Sequence, residues 1–381
     1  MRGAGPTRWR HWAVAGLLAT IAAGGGGGSA LAARYAPVAQ PGPALSVPRA
    51  TLEKAVKCTA DVGLGQREPI LLVPGTDLTP KPNFSWNYER ALSALHFPYC
   101  TVELPASATG DIQVAGEYVV YAIRRLHASS GRKVQIIGYS QGGMVPRWAL
   151  RFWPDTRSLV DDDVGLDASN HGTTDADVTC GPSMPCQAAN WQQRSQARSA
   201  FIMALNSRQE TFPAISYTEI FSHADEVVVP NFDTTGSSSV HGGGGNITNV
   251  AVQDICPNDA ADHLAMGSYD PVGYALAIDA VTHTGPASAA RIGSAVCAQP
   301  FQPGVNPATF ATDYAGFLNA IAQGANNSEK LAAEPPLKCY VFAACPAVVR
   351  HQPPRATTHH HHARRRHAHR RRHHHRHRDD R

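Results

Sequence analysis

VQIIGYSQGGMVPRWALRFW, residues 134–153, decides the fold. Its first half is apolar and β-branched, as a buried strand should be, and its second half carries a helical apolar pattern. Between them stands Gly138-Tyr139-Ser140-Gln141-Gly142, a G-x-S-x-G turn. A strand, a sharp turn and a helix are the context in which that pentapeptide forms a nucleophile elbow. The turn is so tight that the positions two before and two after the serine need to be nearly free of side chain, and both are glycine. The spacing therefore predicts Ser140 in a strained backbone, its hydroxyl raised above a sheet. The Gln141 N–H, at the start of the helix, would point to where an oxyanion forms.

A serine hydroxyl needs a base, and the base needs an orienting acid. In this architecture the chain order is nucleophile, acid, histidine, with the last two on loops after later strands. Two downstream passages fit. A strand-like run, 214–221, feeds Ser222-His223-Ala224-Asp225-Glu226, and a second strand at 249–253 feeds a polar loop ending Asp262-His263. Asp225 is expected as the acid and His263 as the base. The rivals are weaker. Glu226 would point to the other side of the chain from Asp225, and His223 precedes the acid. His241 lies in a glycine-rich loop, and His283 is far along a helical segment. Asp262 suits a helix cap better than a partner for its neighbour. A second oxyanion donor should follow an early strand, and Pro69–Val73 (PILLV) is an unbroken apolar run ending in Pro74-Gly75-Thr76. Thr76 offers both an N–H and a hydroxyl there.

The 381 residues, 43% hydrophobic, suit one large catalytic body with tails. Arg2, Arg8 and Arg10 precede an apolar run at Ala13–Ala23 and then Ala30-Leu31-Ala32, the order of a secretory leader with an A-x-A cleavage site. That run falls well short of the ~20 residues that span a bilayer. The expected organisation is a leader over 1–32, a Pro/Ala/Gly-rich linker over 33–52, a catalytic domain over 53–346 and a disordered His/Arg-rich tail over 347–381. Ten arginines against Asp379 and Asp380 give the end of the tail +8, and the leader carries +3. The total of +4 then leaves residues 33–354 at −7. The basic balance belongs to the tail, which could adhere to an anionic surface or polymer. It gives no reason to expect nucleic-acid binding by the body, which is expected to be a monomer.

Eight cysteines in an exported chain favour disulfides over metal ligands. Cys180 with Cys186, and Cys339 with Cys345, can staple local loops. Cys58 with Cys100, and Cys256 with Cys297, would close loops of about forty residues, each stabilising by ~4 kcal/mol in the chain-entropy model. No C-x-x-C or H-E-x-x-H occurs, and the chemistry requires no metal or organic cofactor.

With these pieces placed, the chain resembles the Candida-type lipase B family of α/β-hydrolases, from about Ala55 to Cys297. The resemblance is carried by PILLVPGT (69–76), EYVVYAI (117–123), SQGG (140–143), NWQQ (190–193), the His223–Val228 segment with Pro230, and Asp262-His263. It implies an α/β-hydrolase fold, a mostly parallel sheet flanked by helices with a short lid-like segment. It implies Ser140, Asp225 and His263 as the triad, and Thr76 and Gln141 as the oxyanion hole. Tyr139 and Gln193 would border the substrate pocket, and Asn170 could line its acyl side. It supports the Cys58 to Cys100 and Cys256 to Cys297 pairings by their spacing. The implied activity is hydrolysis of carboxylic esters, with triacylglycerols as substrates. An acyltransferase or cutinase-like enzyme with the same triad is the alternative, and a non-catalytic surface-binding module is the remaining class. The chain departs from the family in its elbow, where Gly138 restores the common glycine. It also lacks the acid expected after the elbow helix, carries Cys180 and Cys186 in the lid-like segment, and has Pro146 inside the elbow helix.

Overall fold

A computed structural model describes residues 34–345. Seven strands form one sheet: β1 (Val56–Cys58), β2 (Ile70–Val73), β3 (Tyr99–Val102), β4 (Val134–Tyr139), β5 (Val160–Leu166), β6 (Ser216–Phe221) and β7 (Asn246–Ala251). Their spatial order is β1-β3-β2-β4-β5-β6-β7. Only β1 runs antiparallel to its neighbour; every other pairing is parallel. Parallel neighbours need crossovers, and the crossover helices cover both faces. The strand interiors are accordingly apolar on both sides. Leu71 and Val73 of β2 join Val134 and Ile136 of β4 in one core, while Ile70, Leu72 and Ile137 join Val164, Leu166 and Ile220 in the other. This is the α/β-hydrolase fold.

The longest crossover, helix Ile112–Ser130, shows why these elements form where they do. The Asp111 side chain caps it by accepting from the Gln113 N–H at 3.0 Å, and Gly131, at φ 67°, closes it in the left-handed conformation. Ala115, Val119, Ala122, Ile123 and Leu126 turn one stripe to the sheet. After this helix the chain re-enters beside β2 and then proceeds outward through β5, β6 and β7. The order reverses between β2 and β4, so the loops leaving their C-terminal ends part and leave a crevice. The elbow sits at this switch point.

Two expectations need correction. Residues 34–47 are not a linker in form. Tyr35 and Ala36 are buried, the Ala36 N–H bonds the Val341 carbonyl at 2.9 Å, and Glu117 accepts from the Ser46 hydroxyl at 2.7 Å and the Val47 N–H at 3.0 Å. Proline and glycine exclude regular elements there, but the apolar side chains between them still find the body. The last strand is Asn246–Ala251, three residues earlier than expected, and Val252–Asp254 turns as a 3-10 segment. As an edge strand it is half-exposed and polar at its start, so the apolar run marks only its end.

All four disulfides pair as anticipated: Cys58 with Cys100, Cys180 with Cys186, Cys256 with Cys297, and Cys339 with Cys345. Cys58 and Cys100 stand opposite each other across the β1–β3 pairing, so their bridge fastens the antiparallel edge strand to the sheet, and Cys100 is fully buried there. Cys345 is exposed and is the last described residue, held to the body through Cys339. Among the described residues no helix is long and apolar enough to cross a membrane. The leader and the His/Arg tail lie outside the described residues.

Candidate active site

Ser140 occupies the turn between β4 and helix Gln141–Phe152, with φ 56° and ψ −123°. Such a conformation is costly for a non-glycine residue and persists only where its surroundings enforce it. The enforcement comes from packing. A Cβ on Gly138 would fall on the Gly142 carbonyl, and one on Gly142 would fall on the Val73 carbonyl. The Ser140 N–H donates to the Leu166 carbonyl at 2.8 Å, and its own carbonyl accepts from Gly143 at 3.0 Å. The hydroxyl is left facing a crevice.

His263 and Asp225 meet it there. The His263 Nε2 lies 3.0 Å from the Ser140 Oγ, and its Nδ1 lies 3.0 Å from the Asp225 Oδ2. A carboxylate at Nδ1 keeps the ring proton on that nitrogen, so Nε2 is the acceptor for the serine proton. Asp225 is fixed in turn: its Oδ1 accepts from the Val227 and Val228 N–H groups, each at 2.8 Å. His263 opens helix His263–Met266, where Asp262 is the cap, its Oδ1 accepting from the Ala265 N–H at 2.7 Å. Glu226, a rival for the acid, instead accepts from the His263 backbone N–H at 3.2 Å. The Tyr139 hydroxyl donates to the His263 carbonyl at 3.1 Å, and its ring lies 5.0 Å from the imidazole. The remaining histidines weighed from sequence do not reach the serine. His223 and His241 are exposed, while His283 pairs with Asp279 just past a helix end.

Thr76 leaves β2 toward the same point. Its Oγ accepts from the Gln141 side chain at 3.0 Å and from the Gln193 side chain at 3.1 Å. With its oxygen engaged by two donors, the hydroxyl proton is available to a third group. The loop is tied to the histidine side by Asn83, which accepts from the Gly75 N–H and donates to the Gly267 carbonyl, both at 3.1 Å. A cavity of about 180 Å³ opens here, lined by Thr76, Tyr139, Ser140, Gln193 and His263, with Leu78, Val227, Val228, Leu264 and Ile321 adding apolar walls. The cysteines belong to the scaffold and not to this wall. Cys100 and Cys345, like their partners Cys58 and Cys339, stand outside the cavity, and the Cys180–Cys186 and Cys256–Cys297 pairs do so too.

Asn170 does not line that cavity. It is fully buried, its Oδ1 taken by the Arg147 guanidinium at 3.0 Å and its amide by the Ser238 carbonyl at 2.7 Å. A buried cation inside the elbow helix needs acceptors, and Asn170 is one of them. Ser169, one residue earlier, is also fully buried, and it reaches the cavity wall only through Gln193, to which it donates at 2.8 Å.

Sequence reasoning missed two acids. Asp77 lines the cavity beside Thr76, and burial pushes its carboxyl up to about 6. Asp167 is buried 3.8 Å from the His263 Nδ1, and burial together with Asp225 raises it well above the carboxylate range. A carboxylate directly after an apolar strand end was the available signal for Asp167, but the same pattern opens many ordinary turns.

Known proteins share this geometry's sequence and fold. A family model described as lipase (class 2) matches residues 119–253. Lipase B of Pseudozyma antarctica is 32% identical over 228 residues, covering 58% of this chain. The match spans 64% of that lipase's own length. The crystal structure of Aspergillus fumigatus lipase B superposes with a TM-score of 0.72 at 29% identity, over 80% of this chain and 74% of that one. The resemblance read from the sequence therefore stands: in sequence across its middle and in fold over most of its length, this chain is similar to the lipase B α/β-hydrolases.

Proposed function

We propose that this chain is a secreted serine hydrolase that cleaves carboxylic esters, acylglycerols among them. The observation that carries the reading is the unbroken contact from Ser140 Oγ through His263 to Asp225, 3.0 Å at each step. The similar proteins are named lipases, and the apolar walls beside Ser140 suit an acyl chain. Export is supported by the leader pattern over 1–32 and by the pairing of all eight cysteines.

In this reading His263 takes the proton from Ser140 as its oxygen attacks the ester carbonyl. Asp225 holds the imidazole tautomer and stabilises the imidazolium. Thr76 and the Gln141 N–H hold the oxyanion, at about 3–4 kcal/mol per donor. The imidazolium then protonates the leaving alkoxide, and an acyl-serine remains. Water enters, gives its proton to His263 and attacks the acyl carbon, and the proton returns to Ser140 as the acid departs. The buried, packed elbow pre-sets these positions, so little reorganisation is needed as charge develops.

Ser140→Ala is expected to lower p-nitrophenyl ester turnover by a factor on the order of 10⁴ or more while leaving the fold intact. Retained turnover in a folded variant rejects the site.

A further inference from the structure

Two acids, not one, stand behind His263. Asp167 directly follows β5 and Asp225 follows β6, and these strands pair in parallel with Leu166 beside Ile220, so both acids leave the C-terminal edge of the sheet. One polar atom each of Asp167, Asp225 and His263 lie within 4.8 Å of one another. Both acid side chains are fully buried. Their bonding differs. Asp225 accepts from two backbone N–H groups and from His263. Asp167 accepts from the Ser222 N–H at 2.9 Å through Oδ1, while no donor among the described residues reaches its Oδ2 and its carboxyl interacts with that of Asp225. That Oδ2 is the oxygen 3.8 Å from the His263 Nδ1. Asp167 also holds a φ of 45°, a strained backbone at a position that an ordinary turn would give to glycine or asparagine.

We propose that Asp167 is a second positioning acid for His263, able to accept the Nδ1 proton when Asp225 is removed. This rests on the serine hydrolase reading of the site. The electrostatics explain why the role is held in reserve. Burial and the Asp225 charge both disfavour a charged Asp167, with Asp270 adding to the effect, and Ser222 is its one backbone donor. Asp167 therefore stands protonated. Glu226 and Asp262 also stand near, acting on Tyr139 beneath the imidazole. Removing the Asp225 carboxylate removes the nearest like charge and leaves the Nδ1–H without an acceptor. Asp167 then loses its proton to solvent, and its Oδ2 closes from 3.8 Å toward the 3.0 Å that Asp225 now holds. It acts through His263 and touches no substrate.

The test is steady-state hydrolysis of a p-nitrophenyl ester by the full chain carrying Asp225→Ala, Asp167→Ala, both, or Asp225→Ala with Asp167→Asn, against Ser140→Ala as the blank. Asp225→Ala is expected to lose on the order of 10–10² in kcat with KM nearly unchanged. Losing the acid of a triad that has no substitute costs on the order of 10⁴. Both double variants should fall by on the order of 10⁴. The asparagine version separates a carboxylate from a mere space-filling group. Asp225→Ser, which keeps an acceptor for the Val227 and Val228 N–H groups, is the second background, and thermal unfolding of every variant checks the fold. In the fluorophosphonate adduct, a low-field imidazole proton resonance should persist in Asp225→Ala and vanish in the doubles. The proposal is overturned if Asp225→Ala and Asp225→Ser are already as poor as their doubles. Turnover retained by Ser140→Ala overturns the site reading itself, a different result.

Discussion

The serine, the imidazole and the carboxylate were legible from single positions because their chemistry admits so few residue types. G-x-S-x-G between a strand and a helix leaves one candidate nucleophile, and the order of later loops leaves one convincing acid and one base. Residues that act by packing were not legible in this way. Asn170 stands five positions after Gly165 and reads as an acyl-site residue, yet the buried Arg147 guanidinium claims it. Nothing local in the sequence tells a side chain which face of a loop it will take. Thr76 carries a sharper expectation. Its oxygen already receives two amide donors, so its proton is free to meet an oxyanion. Thr76→Val, which keeps the N–H and the shape, should lower kcat by about 10²–10³ with little change in KM. Equal kcat for wild type and variant would leave the backbone donors as the whole oxyanion hole.

At the scale of elements, strands with both faces covered announced themselves as unbroken apolar runs, and PILLV and VQII are examples. Short or edge strands did not. Val56–Cys58 has three residues and pairs only with β3, where Cys100 anchors it covalently, and Asn246–Ala251 begins with polar, exposed positions. The N-terminal end of β5 is unusual in another way. Asp161, Asp162 and Asp163 follow one another there, with Glu68 close by. Burial, then Asp161 and Glu68, pushes the Asp162 carboxyl up to about 8, and burial pushes Asp163 up to about 7. A carboxyl raised in the folded state binds more protons there than in the unfolded chain, so its contribution to stability is full below about pH 4 and is lost as pH rises toward 8. Asp162→Asn should therefore match or trail wild type in thermal midpoint near pH 4 and exceed it near pH 8. A midpoint difference that does not change with pH would contradict this placement of the charge.

At the scale of the molecule, one body extends from residue 34 to Cys345, and its two ends are held together. Ala36 and Ala343 each bond the other terminal segment, and Glu117 receives both Ser46 and the Lys338 ammonium. The Pro/Ala/Gly-rich composition of residues 33–52 suggested a linker because composition reports what a segment cannot form, not what it can lie against. The body is acidic and the tail strongly basic, so surface adhesion and ester hydrolysis should separate. Deleting Arg355–Arg381 is expected to weaken retention on an anionic surface, most clearly at low salt, while soluble p-nitrophenyl ester hydrolysis stays within about twofold. Loss of hydrolysis on deletion would make the tail part of the catalytic unit.

The fold, the cavity and the proposed chemistry converge on one nucleophilic oxygen. Labelling the purified chain with a fluorophosphonate and mapping the modified peptide tests that convergence most directly. A single adduct on Ser140, abolished by Ser140→Ala and slowed by His263→Ala, is the predicted result. An unlabelled Ser140 in a folded, ester-cleaving protein, or an adduct on another residue, would contradict it.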